Sequence, residues 1–501
     1  MLSRKKHLEV LKARAAEQFE WDVIVIGGGA TGLGSAVDAA SRGLKVLLLE
    51  GHDFAKGTSS RATKLAHGGV RYLAQGNFSL VREALEERGR MLVNAPNLVK
   101  PLAFVIPVQN IFQKLFYWFG LKMYDMLAGK LGVGPTTMMN RNEVLRTLPT
   151  ISQQKLHGGV RYFDAQFDDA RLAIALMKTL HKLGGMAVNY MPVTGFEKAA
   201  EKIAGVIAKD SFSGETLCLR AKAVINATGV WVDEIRKMDS ADSISMLAPS
   251  QGVHVVVDSS FYPATEALLV PKTSDGRVLF VVPWMGKTLI GTTDTPRKDA
   301  PFEPNALPGE IDFILATAGQ YLAKAPTRED VRSVFVGLRP LVSAGGEKQN
   351  TKSISREHTV ITAPSGLITI TGGKWTTYRS MAEEVIDLVC EQQGWQNKPT
   401  RTRYLRLEDD LPRRKPGSAL HPNLELNAAE IAQAVLEEMA VTIEDVLARR
   451  SRALFLDSKA ALECMNEVRY VLQNELRYTD EELDRQEEQF KKLVGQYSCA
   501  V

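Results

Sequence analysis

Two histidines of this chain lie in patterns that could support acid–base chemistry. His67 begins the segment HGGVRY, and His254 lies in SQGVHVVVD, whose alternating pattern predicts a strand. An imidazole can accept a proton near neutral pH because its ordinary pKa is about 6.5, whereas a guanidinium group stays protonated. The two residues are therefore candidates for a general base and for a group that positions a substrate or a cofactor.

Four basic residues in separate segments could together bind an anion. They are Arg71, Arg339, Arg356 and Lys374. Arg339 lies between Gly337 and Pro340, which restricts the backbone, and Lys374 follows Gly373 at a predicted helix start. Forked arginine donors and a lysine cation suit a phosphate group. A cationic cluster is predicted if the fold brings these segments together.

The pattern near the N-terminus predicts a strand, a helix and a second strand that bind a dinucleotide. WDVIVIG and KVLLLE are typical of buried parallel strands, and GGGATG between them places Gly27, Gly29 and Gly32 in GxGxxG register. Such glycines permit a tight turn, close approach of a pyrophosphate and close packing of helix and strand. Glu50 ends the second strand, where a carboxylate accepts from ribose hydroxyls and disfavours the 2′-phosphate of NADP. This motif alone does not separate FAD from NAD.

Two later segments favour FAD. AVINATG (223–229) and LITITGGKWTTYR (367–379) each combine an apolar strand with a small-residue turn. The nucleotide-binding fold is therefore predicted to be completed late in the chain, as a discontinuous fold that surrounds a long cofactor would be.

Several motifs in order resemble the FAD-dependent glycerol-3-phosphate dehydrogenases, within the D-amino-acid-oxidase-like flavoproteins. The segments are GGGATG, TSSRATKLAHGGVRYL (58–73), FDDARL (167–172), INATGVW (225–231), VPWMGKTLIGTTD (282–294), VGLRPL (336–341) and TGGKWTTYR (371–379). The resemblance implies an α/β fold with three parts. These are a Rossmann-like FAD-binding domain (20–105, 152–245 and 335–395), a β-rich cap or substrate domain (106–151 and 246–334) and a C-terminal α-helical domain (400–501).

The resemblance also implies an activity and a set of site residues. The activity is oxidation of sn-glycerol 3-phosphate to dihydroxyacetone phosphate, with hydride passing to flavin N5 and electrons to a membrane quinone. Its implied cofactor-binding residues are Gly27, Gly29, Ala30, Thr31, Gly32, Glu50, Thr58, Ser59, Ser60, Lys64, Ala227, Gly229, Gly373 and Lys374. Its implied substrate-binding residues are Arg71, Tyr72, Arg339, Arg356, Lys374 and Thr377. We predict His254 as the base, Arg339 as the residue that stabilises the developing alkoxide, and His67 as a positioning residue.

Three alternatives remain open. Reduced flavin could pass electrons to oxygen, as in a glycerol-3-phosphate oxidase. The chain could bind flavin without turnover, or it could oxidise an amine or amino acid, which would require a carboxylate clamp instead of several cations. The second copy of HGGVRY, at 157–162, has different flanking residues, and we interpret His157 as coincidental.

Composition limits the other classes of function. The chain has 501 residues, of which 45% are hydrophobic and 24% charged, as in ordinary globular proteins. Its formal net charge of +4 is too near neutral for a dedicated nucleic-acid-binding protein. The four cysteines form no CxxC pair, so no metal site or disulfide framework is predicted. The N-terminal segment lacks the apolar core of a signal peptide, and a cytoplasmic location is expected.

One aromatic segment predicts a contact with a membrane surface. Within 110–132, Phe112, Phe116, Phe119, Met123 and Leu127 share one helical face, with lysines beside them. Such a stripe is equally typical of a helix buried against the cap domain. The sequence therefore predicts at most a peripheral protein on the inner face of the cytoplasmic membrane. The C-terminal helices could bind a partner, form a homodimer or cover the flavin domain.

Overall fold

The computed structural model describes residues 3–70, 76–273, 276–342, 358–395, 398–411 and 418–499. The strands are β1 (Glu20–Ile26), β2 (Val46–Leu49), β3 (Leu65–Ala66), β4 (Val99–Val108), β5 (Thr137–Asn140), β6 (Gly158–Phe167), β7 (Met186–Val188), β8 (Val193–Ala199), β9 (Lys202–Lys209), β10 (Thr216–Asn226), β11 (Ser250–Asp258), β12 (Ala267–Val270), β13 (Leu279–Trp284), β14 (Lys287–Gly291), β15 (Thr295–Pro296), β16 (Val331–Arg339), β17 (His358–Thr362) and β18 (Ile368–Gly372). The helices are α1 (Arg4–Ala16), α2 (Ala30–Ser41), α3 (Phe78–Asn94), α4 (Ile111–Ala128), α5 (Arg141–Thr147), α6 (Asp169–Lys182), α7 (Val232–Asp239), α8 (Pro308–Tyr321), α9 (Tyr378–Gln392), α10 (Ala428–Glu437), α11 (Ala453–Leu456), α12 (Ser458–Glu463), α13 (Met465–Leu476) and α14 (Asp480–Tyr497).

The first sheet carries the predicted nucleotide-binding motif at its centre. Its strand order is β17-β18-β10-β1-β2-β7, and β8 and β9 extend β10 as an antiparallel ribbon. β1 pairs in parallel with both β2 and β10, and β10 pairs in parallel with β18. Helices α2, α6 and α9 pack together beside this sheet. The early motif and both later segments therefore meet in one sheet, as predicted.

The second sheet forms the cap. Its order is β15-β11-β14-β13-β12-β4-β6-β3, with β16 beside β11 and β5 beside β6. All of β4, β6 and β16 lie in this sheet, although the sequence predicts most of β4, all of β6 and residues 335–339 of β16 for the FAD-binding domain. The difference arises because an apolar strand pattern does not show which of two sheets the strand joins.

The C-terminal region is helical and is anchored to the first domain by buried charges. A π-helical segment, Asp445–Arg450, precedes α11 and places Arg449 and Arg450 against Asp53, which is fully buried. Burial raises the pKa of Asp53, but Arg450 and Arg449 outweigh burial and hold the pKa at about 2. The side chains of Asn427 and Thr479 cap the N-termini of α10 and α14.

Helix α4 exposes the apolar stripe that the sequence predicts. Phe112 is 79% exposed, Phe116 70% and Phe119 64%, whereas Leu121 and Tyr124 on the opposite side are buried. The stripe therefore faces outward instead of packing against the cap domain. Among the described helices, none has the length and apolar character needed to cross a bilayer.

Candidate active site

The glycine turn after β1 has the shape that a dinucleotide requires. Gly27 has φ +109°, and a Cβ there would lie 2.7 Å from the carbonyl oxygen of Ala227. A Cβ on Gly32 would lie 1.9 Å from the carbonyl oxygen of Gly27. Only glycine fits these two positions, so the N-terminus of α2 comes close to the ends of β1 and β10. The helix N-terminus then offers backbone N–H groups to phosphate oxygens.

Glu50 and Ser59 lie against this turn. The Glu50 carboxylate accepts from the N–H groups of Gly28 at 2.6 Å and His52 at 2.7 Å. Burial raises the pKa of Glu50, partly opposed by these two N–H groups. Ser59 Oγ accepts from the N–H of Ala30 at 2.9 Å. A carboxylate and a hydroxyl group beside a glycine turn fit the ribose and diphosphate of FAD.

A large cavity, whose lining includes Thr58 next to Ser59, brings together both candidate histidines and two of the candidate cations. It has a volume of about 1270 Å³ and is lined by His67, His254, Arg339 and Lys374. These residues come from the loop after β3, from β11, from the end of β16 and from the turn after β18. Apolar side chains of α4 line the same cavity, including Phe116 and Phe119. The cavity therefore connects the polar candidates to the exposed helix.

His254 is held rigidly and is kept neutral. Its ring stacks on Phe335 with centroids 4.8 Å apart, and Nε2 lies 2.9 Å from Thr63 Oγ1. On the other neighbouring strand, a Cβ on Gly291 would lie 2.3 Å from Cδ2 of this ring. Burial, followed by the positive charges of Lys64 and Arg339, holds the pKa of His254 well below its ordinary value. The imidazole is therefore unprotonated at neutral pH, as a base must be.

Arg339 is fixed at the cavity wall by acceptors from neighbouring strands and turns. Its guanidinium group donates to the carbonyl oxygen of Thr293 at 2.9 Å and to the carboxylate of Asp294 at 3.1 Å. A Cβ on Gly252 would lie 2.4 Å from Nη2, so the absent side chain leaves room for the guanidinium group. A fixed guanidinium group can bind an anion without losing much conformational freedom on binding.

The turn after β18 brings Lys374 and Thr376 to the cavity. Gly373 has φ +69°, and a Cβ there would lie 2.5 Å from the sulfur of Met381. The hydroxyl oxygen of Thr376 accepts from the N–H of His67 at 3.3 Å, so this turn contacts the loop after β3. Thr377, predicted to bind substrate, is 5% exposed and donates to the carbonyl oxygen of Lys374 instead. Its neighbour Thr376 lines the cavity.

Lys64 occupies a different place from the predicted cofactor contact. Its ammonium group is fully buried and donates to Asp169 at 2.7 Å and to the carbonyl oxygen of Ser60 at 2.8 Å. Burial lowers the pKa of Lys64 to about 7, against the opposing effect of Asp169. The buried carboxylate explains the difference, because it provides a counter-charge within the protein.

The other predicted residues have varied positions. Arg71, Tyr72 and Arg356 lie outside the described residues. Thr58 lines the cavity and donates to the carbonyl oxygen of Leu338 at 2.6 Å. His157 is exposed before β6 and is absent from the cavity lining.

Sequence reasoning missed four residues that shape this site. They are Thr63, Gly252, Gly291 and Asp294. The segments that contain them were recognised, but the separate roles depend on pairing between strands. Thr63, one residue from Lys64, had no local signal that distinguishes it from the hydroxyl residues before it.

Comparisons with known proteins agree with this fold and site. The FAD dependent oxidoreductase family matches residues 22–379, and the C-terminal domain of alpha-glycerophosphate oxidase matches residues 376–483. The chain therefore belongs to the FAD dependent oxidoreductase family.

Within that family, its similarity is to glycerol-3-phosphate dehydrogenases. The mitochondrial glycerol-3-phosphate dehydrogenase of Homo sapiens is 37% identical over 95% of this chain and 73% of the relative. A Bacillus halodurans glycerol-3-phosphate dehydrogenase complexed with FAD has a TM-score of 0.79 and 30% identity, covering 99% of both chains. L-alpha-glycerophosphate oxidase of Mycoplasma pneumoniae has a TM-score of 0.59 at 18% identity, with 79% of this chain and 99% of that chain covered, which shows a shared fold. The chain belongs with the glycerol-3-phosphate dehydrogenases.

Proposed function

We propose that this protein catalyses the FAD-dependent oxidation of sn-glycerol 3-phosphate to dihydroxyacetone phosphate. The observation that carries the proposal is the convergence of His67, His254, Arg339 and Lys374 on one cavity, in a fold that also has the glycine turn of a dinucleotide-binding site. A neutral imidazole suits removal of an alcohol proton, and the two cations suit a phosphate dianion. The similarity to enzymes named for this substrate supports the same choice.

The FAD-binding part of the proposal depends on residues of the first sheet and its turns. Gly27, Gly29 and Gly32 would admit the diphosphate, Glu50 would meet the ribose, and Ser59 would lie beside the diphosphate. FAD, when bound, supplies the two-electron acceptor for oxidation of the alcohol.

The remaining chemistry belongs to side chains of this chain. Arg339 and Lys374 hold the phosphate and orient the three-carbon alcohol. Arg339 also stabilises negative charge on the substrate oxygen as its proton leaves, because its guanidinium group is already fixed by Asp294 and Thr293. His254 receives that proton. Apolar side chains of α4 form part of the wall of the same cavity.

The electron acceptor is proposed to be a quinone in a membrane that α4 contacts. The exposed face of α4 includes Phe112, Phe116 and Phe119, and the last two also line the cavity. A helix with this apolar face lies in the interfacial region of a bilayer. An apolar quinone could therefore pass from the bilayer to the cavity without crossing water. The proposed location is the inner face of the cytoplasmic membrane, by peripheral association.

The decisive experiment mixes the purified holoenzyme anaerobically with glycerol 3-phosphate or with glycerol. We expect flavin absorbance to bleach with glycerol 3-phosphate at far lower concentration than with glycerol. Equal bleaching by the two compounds would contradict phosphate recognition. Reoxidation by a soluble quinone should then be faster than by oxygen, and rapid peroxide formation would instead support the oxidase alternative.

A further inference from the structure

The hydroxyl group of Thr63 lies beside the ring of His254 at the cavity wall. Both residues line the cavity, where Thr63 is partly exposed and His254 is only 3% exposed. Thr63 Oγ1 lies 2.9 Å from Nε2 of His254. Within the described part of the chain, Nδ1 of the same ring is buried and has no hydrogen-bond partner. Among the described residues, the hydrogen bonding of this imidazole is therefore with Thr63 alone.

We propose that Thr63 contacts the substrate hydroxyl group and relays its proton to His254. The inference depends on the proposed function, because it assigns a route for the proton that the oxidation releases. It adds a catalytic residue that neither the motifs nor the similarity to known enzymes identified.

The surroundings of His254 prevent the ring from turning toward the substrate by itself. The ring stacks on Phe335 at an interplanar angle of 16°, and the backbone of Gly291 lies close on the neighbouring strand. A rotation of the ring would have to displace one of these two contacts. A small, amphoteric hydroxyl group at Nε2 removes the need for such a rotation.

The Thr63 hydroxyl is itself held in place from both sides along the chain. The N–H of Ala62 donates to Asp169 at 3.0 Å, and the ammonium group of Lys64 donates to the same carboxylate oxygen at 2.7 Å. Asp169 is fully buried, and Arg452 of the C-terminal region donates to its other oxygen at 3.2 Å. Both neighbours of Thr63 are thus anchored to one rigid carboxylate, which fixes the hydroxyl group against His254.

The proton balance of the relay is simple. The proton of the substrate C2 hydroxyl passes to Oγ1 of Thr63 as the proton of Oγ1 passes to Nε2 of His254. Two O–H bonds break, and one O–H bond and one N–H bond form, so threonine is regenerated and His254 gains a proton. The hydrogen and electron pair of the C2–H bond go to FAD, and C2 becomes a carbonyl carbon.

The test compares Thr63→Val with Thr63→Ser by anaerobic stopped-flow measurement of flavin reduction. Valine has a similar shape but no hydroxyl group, and serine keeps the hydroxyl. We expect Thr63→Val to reduce the limiting rate by about 100-fold or more, since acid–base assistance typically contributes 10²- to 10⁴-fold. We expect Thr63→Ser to remain within about threefold of the wild type and the substrate Kd to change little in both.

Thr288→Val is the matched control. Thr288 is fully buried on β14, outside the cavity lining, and its hydroxyl has no hydrogen-bond partner among the described residues. We expect this variant to keep the wild-type rate. The absorption spectrum of the oxidised flavin, which reports an intact cofactor site independently of turnover, should be the same in all three variants.

A second measurement needs no variant. In mixtures of H₂O and D₂O, a relay moves two protons, so the reduction rate should depend on the deuterium fraction along a curve. A straight line, or a wild-type rate in Thr63→Val, would overturn the relay.

The variant His254→Gln separates failure of the relay from failure of the proposed base. Slow flavin reduction in His254→Gln together with a wild-type rate in Thr63→Val would refute the relay alone. Wild-type rates in both variants would refute His254 as the base.

Discussion

Replacing Phe112 by serine should release the protein from membranes without harming its chemistry. Phe112 is 79% exposed on α4 and is absent from the cavity lining. An aromatic side chain buries roughly 200 Å² when fully covered, so about 160 Å² of this ring is available to enter a bilayer. At about 25 cal/mol per Å², complete transfer is worth about 4 kcal/mol, and half-insertion about 2 kcal/mol. A loss of about 2 kcal/mol corresponds to roughly 30-fold weaker partitioning.

The assay is sedimentation of the holoenzyme with phospholipid vesicles that contain a quinone. Phe112→Ser should partition roughly 30-fold more weakly and reduce vesicle quinone more slowly at limiting lipid. Reduction of a soluble dye by glycerol 3-phosphate should stay unchanged. Tyr404→Ser is the matched control, because Tyr404 is 76% exposed but lies outside α4. Wild-type partitioning of Phe112→Ser, or equal loss in the control, would refute the membrane role of α4.

Three further predictions concern the cavity itself. Gly291→Ala should displace the His254 ring, since the new Cβ would lie 2.3 Å from its Cδ2. We expect the free energy of unfolding to fall by about 1–3 kcal/mol and flavin reduction to be slower. An unchanged melting temperature and an unchanged reduction rate would contradict this. Arg339→Ala should reduce the preference for glycerol 3-phosphate over glycerol, measured as the ratio of the kcat/KM values, by at least about 10-fold. The reason is that hydrogen bonds to charged groups contribute about 1.5–3 kcal/mol. An unchanged preference would show that Arg339 does not bind the phosphate. The pKa of His254 is depressed in the folded protein, so below about pH 6.5 the unfolded state binds more protons than the folded state. The free energy of unfolding should therefore fall as the pH decreases. In denaturant titrations, His254→Gln should remove up to about 1.4 kcal/mol per pH unit of that dependence. An identical pH dependence in wild type and His254→Gln would contradict the depressed pKa.

The nucleotide-binding half of the site could be predicted because its signals are local. Gly27, Gly32 and Glu50 fall within one β–α–β unit, and their constraints are steric: a Cβ at either glycine would overlap backbone atoms. The order of apolar strand, glycine turn and helix is visible in a short window of sequence. Such a pattern predicts a backbone shape directly, without knowledge of distant contacts.

The environment of His254 could not be predicted in the same way. The strand pattern identified the residue, but its contacts with Phe335 and Gly291 depend on the register between β11 and its two neighbours. Lys64 shows the same limit. Its counter-charge, Asp169, is 105 residues away, so a basic residue among hydroxyl residues was interpreted as a cofactor contact. Long-range pairing decides which charges are neutralised inside the protein and which remain available for a ligand.

The C-terminal region contacts the first domain through long-range ion pairs that the sequence does not reveal. The sequence predicts helices that could bind a partner, form a homodimer or cover the flavin domain. In the structure, Arg449 and Arg450 are buried against Asp53, and Arg452 donates to the carbonyl oxygen of Ser60 at 2.7 Å. Asp53 follows Glu50 closely along the chain, and Ser60 comes directly after Ser59, whose hydroxyl group accepts from the N–H of Ala30. Removing a partner from a buried ion pair costs about 3–5 kcal/mol, because the other charge stays buried without compensation. The contacts of Arg449, Arg450 and Arg452 therefore stabilise the segment from Asp53 to Ser60, which includes Ser59, a residue proposed to lie beside the diphosphate.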